Sequence, residues 1–162
     1  MSYSESHASN FKLIFPYIPV NGKTSKKPLE LYLQTVNLPT LTLGVEDVPT
    51  QYRIMNEPTG SIDVEDLSVT FLIDDKWYNY QLLLQWIQAI KNPTTLGFNK
   101  LPVNASLILL TSNGNPAITL DFSEVWPTSL GPVNLNAADN TDSPLICSAT
   151  FNLEYMVLSD QQ

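Results

Sequence analysis

Residues 66–91, DLSVTFLIDDKWYNYQLLLQWIQAIK, change hydrophobic period halfway along, and few folds accommodate that change. Leu67, Val69, Phe71 and Ile73 alternate with Ser68, Thr70 and Leu72, the period of a strand with one drier face. Asp74 and Asp75 follow, and either carboxylate can cap a helix and oppose the positive end of its dipole. From Lys76 onward Tyr80, Leu83, Leu84, Ile87 and Ile90 recur at spacings of three and four, with Trp77 and Trp86 flanking the stripe. Lys91 suits the C-terminal end of that helix, and Asn92-Pro93 stops it. The pattern predicts a strand, a sharp corner and a helix over 75–91 that packs Tyr80, Leu83, Leu84 and Ile87 on a sheet. No other segment has a long helical period. The expected fold is therefore mainly β, an antiparallel barrel or sandwich with one flanking α-helix.

The other segments alternate or turn. Phe11, Leu13 and Phe15 read as a short strand, and Leu29, Leu31 and Leu33 as a second. Between them NGKTSKKP, residues 21–28, carries three of the eight bases and reads as a solvated hairpin tip rather than a phosphate contact. Residues 105–111 and 117–125 form two strands around the turn signal Asn113-Gly114. Trp126-Pro127-Thr128 is expected to break the second of these, with Val133 and Leu135 starting another short strand. Residues 40–61 hold two prolines, two glycines and the acids Glu46, Asp47 and Glu57. They read as a long loop or a splayed hairpin with 51–55 as its best strand, and loops of that length in compact domains are often functional. At the end of the chain Leu145, Cys147, Ala149, Phe151, Leu153, Tyr155 and Val157 alternate with a polar row, which predicts one long closing strand.

The 162 residues suffice for one domain with a real core, expected over 11–162 behind a polar, extended arm at 1–10. The 43% hydrophobic content fits a globular chain. Only 15% of residues are charged, and sixteen acids against eight bases give a net charge of −8, the wrong sign for gripping a nucleic-acid backbone. Residues 1–10 lack the apolar core of a signal peptide, and no apolar run approaches a membrane span, so no membrane association is expected.

Catalytic chemistry lacks its parts. The single histidine, His7, lies in the arm, so there is no His-based triad or His-rich metal site. Cys147 alternates with core residues and reads as a small buried hydrophobe. No phosphate loop or GxGxxG occurs. Asp63, Glu65, Asp66, Asp74 and Asp75 lack the spacing of a calcium loop. The expectation is no enzyme, no cofactor and no metal. The aromatics Trp77, Tyr78, Tyr80 and Trp86 suit packing better than a sugar platform.

Taken in order, these pieces resemble a known family. A strand running through LIDD into a helix with a Trp near its end is followed by DFSEVWPTSLGPVNL and closed by TFNLEYMVL. That succession is similar to the tail tube proteins of contractile-tailed bacteriophages. Asp74, Asp75, Trp86, Trp126, Pro127, Thr128 and Tyr155 occupy the motif positions, and Leu38-Pro39 before a long segment into Ile62 also matches. The resemblance runs from about Phe11 onward.

It implies a structural virion protein that forms stacked hexameric rings of the tail tube, the conduit for DNA ejection. Its partners would be other copies of itself, the tail sheath and the baseplate, with assembly in the host cytoplasm. DNA would pass through the lumen without sequence-specific binding. A baseplate protein that initiates the tube shares the fold and is the near alternative. A carbohydrate- or ligand-binding β-sandwich is the alternative from another class. On the tube reading, Ser68, Thr70, Ser148, Thr150, Asn152 and Glu154 line the lumen. Glu46, Asp47, Gln51, Arg53 and Glu57 make contacts between rings. Joined sheets would remove open edges.

Overall fold

The computed structural model describes residues 11–20, 23–24, 27–91, 102–111, 113–138 and 143–159. The arm with His7, part of the Lys-bearing turn, and the connection opened by Asn92-Pro93 lie outside the described residues.

The element order is β1 (Phe11–Phe15), β2 (Pro19–Val20), β3 (Lys23–Thr24), β4 (Leu29–Leu31), β5 (Leu33–Asn37), β6 (Leu41–Pro49), β7 (Ile54–Val64), β8 (Leu67–Leu72), α1 (Tyr78–Lys91), β9 (Val103–Leu110), β10 (Pro116–Leu130), β11 (Ile146–Asn152) and β12 (Tyr155–Leu158). The body is one antiparallel path, β4-β1-β9-β10-β11-β8-β5, with β12 also paired to β10. Its two ends are consecutive in sequence. The run read as a single strand from Leu29 to Leu33 turns at exposed Tyr32, leaving β4 on β1 and β5 on β8. This corner makes a barrel-like sandwich out of the path.

Most of the alternation lands as read. Leu13, Phe15, Leu67, Val69, Phe71, Leu107, Cys147, Ala149 and Phe151 all point into the core. β9 and β10 meet around Asn113-Gly114, where Gly114 has the positive φ that the turn needs. Three readings need correction. β10 does not break at Trp126-Pro127-Thr128. It bulges, with register shifts between Phe122 and Val125 and between Pro127 and Ser129, and Glu124 at φ 53°. Its first part pairs with β9 and β12 and its last part with β11, so one strand belongs to both layers. Val133 and Leu135 form no strand. The closing strand is two: β11 ends at Asn152, the chain bends at Leu153 and Glu154, and β12 pairs with β10. Past the bend the parity flips, so Tyr155 and Val157 are exposed while Met156 packs on the core.

The helix begins at Tyr78, three residues later than read. The Tyr78 N–H donates to Asp74 Oδ1 at 2.7 Å, so Asp74 supplies the capping carboxylate. Asp74→Ala should cost about 1 kcal/mol, visible as a melting temperature lower by about 2–4 °C. An unchanged melting curve would remove the cap from the account. The buried face also differs from the one read. It is Asn79, Leu82, Leu83 and Trp86, whereas Leu84 is exposed. Trp86 meets Phe15 edge-on at 5.7 Å and lies 6.3 Å from Phe151, so one side chain anchors α1 to both β1 and β11. Asn79 Nδ2 donates to the Leu72 carbonyl at 2.8 Å, tying the helix to the end of β8.

Candidate assembly surfaces

Residues 40–61, read as a long loop, belong to a β-hairpin. β6 and β7 form their own two-stranded sheet, from the pair Leu41–Val64 at its base to Pro49–Ile54 near its tip. Strand 51–55 is corrected with it: Gln51, Tyr52 and Arg53 sit in the turn. There the Thr50 N–H donates to the Arg53 carbonyl at 3.0 Å, and the Arg53 N–H to Thr50 Oγ1 at 3.2 Å. Gly44 sits at a bulge where any Cβ would fall 2.3 Å from Thr59 Oγ1. Pro49 and Pro58 are tolerated because both strands of a two-stranded sheet are edges. One face carries Leu41, Leu43, Val45, Ile54 and Ile62, all exposed. The other sets Glu46 directly opposite Glu57, a like-charge pair that destabilises an isolated ladder. Glu46, Asp47, Gln51, Arg53 and Glu57 are thus brought together on one exposed arm.

The second surface is the outer face of the β5-β8-β11 layer. Ser148 pairs with Thr70 and Thr150 with Ser68, and Thr35 and Asn37 of β5 continue these rows. Asn152 Nδ2 donates to Asp66 Oδ1 at 3.0 Å at the end of the face. Five of the six residues read as a lumen row therefore share one polar face free of lysine and arginine. Glu154 does not. It stands at the bend between β11 and β12, its N–H bonded to the Ser123 carbonyl at 3.0 Å. It lines a groove of about 410 Å³ with Asp63, Pro102, Glu124, Trp126 and Asn152, beside the base of the hairpin. The row reading missed this because alternation alone does not reveal a bend.

No grouping of His, Cys, Asp or Glu suited to a metal ion occurs among the described residues. Cys147 is 1% exposed, and burial pushes its thiol above the ordinary value, so it stays protonated at neutral pH. No described helix is long and apolar enough to cross a membrane.

No protein-family profile matches the chain. Over 94% of its length it is 20% identical to the tail tube terminator protein of Enterobacteria phage T4, spanning 88% of that protein. It superposes on a chain of the anti-feeding prophage baseplate with a TM-score of 0.71 at 17% identity, covering 98% of this chain and 97% of that one. A chain from the sheath/tube terminator of the PVC extracellular contractile injection system gives 0.70 at 12% identity, covering 99% and 100%. The fold is that of the contractile-tail tube family. The likeness extends over nearly the whole of each compared chain. Within that fold, two of the three names concern the end of a tube, not its repeating shaft.

Proposed function

We propose that this chain is a non-catalytic structural component of a contractile tail and terminates its inner tube. The observation that carries the reading is the end-to-end sequence likeness to a tail tube terminator, joined to the tube fold. It moves the assignment from the main tube subunit, which the motif order suggested, to the end of the tube. The protein would be a virion component, self-associated in a closed ring, with sheath and tube as neighbours. Six copies per ring is the natural expectation for a tube of this family.

The polar face of β5, β8 and β11 would line the channel. It offers hydroxyls and amides from Ser68, Thr70, Ser148, Thr150 and Asn152 and no cation, so phosphates find few strong partners there. The exposed hairpin, with Glu46, Asp47, Gln51, Arg53 and Glu57, would contact neighbouring subunits or the ring below. A two-stranded sheet open on both faces is only marginally stable alone, so a partner is the natural source of its order.

Mass measurement in solution and negative-stain microscopy of the purified protein test the proposal. Discrete rings of one size that do not elongate are expected. Indefinite tubes would return the assignment to the tube subunit, and monomers at all concentrations would overturn it.

A further inference from the structure

We infer that the hairpin tip of one copy, Tyr52 and Arg53, docks into the acidic groove at the hairpin base of the next copy, between Asp63, Glu154 and Trp126. The inference rests on the ring proposed above and adds the contact that closes it.

Three observations point to this pairing. The first is what the tip presents. Tyr52 is 91% exposed although its turn is held by hydrogen bonds at Thr50 and Arg53. Tyrosine and arginine are the side chains that most often anchor an interface. Arg53 is the only arginine in the chain, and no other base occurs between residues 28 and 75.

The second is what the groove presents. Among the described residues its lining includes Asp63, Glu124 and Glu154 and no base. A planar guanidinium can take a carboxylate through two parallel N–H bonds, and it can lie on an indole such as that of Trp126. A volume of about 410 Å³ is of the size that small-ligand pockets have.

The third is reach. The eleven residues of β7 span about 35 Å. A compact chain of this length is roughly 35–40 Å across. A hairpin leaving the body beside the groove therefore ends about one subunit diameter away, where the next copy's groove would lie. The same tip cannot reach its own groove without folding the ladder in half. The contact is head-to-tail, so each copy gives one tip and receives one, as a closed ring requires.

The test pairs a charge reversal with a cross-link, both at exposed positions that leave the core intact. Arg53→Glu should abolish ring assembly at micromolar protein, and combining it with Glu154→Arg should restore rings. The double variant Arg53→Cys, Glu154→Cys should give, on mild oxidation, a ladder of covalently joined chains that stops at one ring. If the unsubstituted protein forms rings and Arg53→Glu forms them equally well, the docking contact is wrong and the terminator reading stands. Rings in which the cysteine pair yields no ladder sink it in the same way. A protein that is monomeric without any substitution overturns the ring and this contact together.

Discussion

On the proposed ring, replacing residues 46–57 with Asn-Gly should leave a folded chain that no longer assembles. The excised part lies beyond the Val45–Pro58 pair, and the remaining ladder from Leu41–Val64 to Leu43–Ile62 keeps the chain's entry to and exit from the body. None of the excised residues belongs to the hydrophobic core, and Asn-Gly is a turn suited to a two-residue hairpin. The melting temperature should therefore shift by no more than a few degrees. Assembly should fall by at least a hundredfold in the concentration needed, because the tip, the Glu46–Glu57 pair and Ile54 all go at once. Sedimentation of the shortened and full-length proteins side by side measures this. Rings from the shortened protein at the normal concentration would show that the hairpin is not an assembly element.

The largest effect on stability should come from Trp86→Ala. The indole is wholly buried and touches Phe15 of one layer and Phe151 of the other, which themselves lie 5.3 Å apart. Truncation leaves a cavity where three elements meet, with an expected cost of about 3–5 kcal/mol. In a domain of this size that lowers the melting temperature by roughly 10 °C. Leu84→Asp is the matched control. Its side chain is 38% exposed, so the carboxylate keeps its water and the cost should stay well under half that of Trp86→Ala. Had the sequence-read face been the buried one, the order of the two variants would be reversed. Thermal unfolding of both decides between the faces.

Why that face was misread is instructive. Leu82, Leu83 and Leu84 are consecutive, so two overlapping stripes fit the helical period equally well. The choice is made by features outside the period: the bulk of Trp86 and the Asn79 hydrogen bond to Leu72. The strands at Phe11–Phe15, Leu67–Leu72 and Val103–Leu110 were legible because each has one face on the core and one toward solvent. The hairpin was obscure for the opposite reason. Both of its faces are open, and Pro49, Pro58 and Gly44 read as breakers when they mark a strand end and a bulge. Its signal lay in the spacing of Leu41, Leu43 and Val45, outweighed by the acids that follow. The polar face was legible from the alternation of Ser148, Thr150 and Asn152, and it failed only at Glu154, where Tyr155–Leu158 is as apolar on both sides as a strand can be. The groove joins residues 63, 124 and 154, and no local pattern connects positions so far apart.

The passage of β10 through both layers has a consequence for how the body comes apart. Backbone bonds from β9 and β12 end on its first part and those from β11 on its last. Opening either layer completely therefore strips partners from the strand that anchors the other. The amides of Val103–Leu110 and Ile146–Asn152, which pair with different parts of β10, should exchange their hydrogens for deuterium through one shared opening event, while those of the hairpin exchange independently and much sooner. A chain built this way joins a rigid body to a compliant arm.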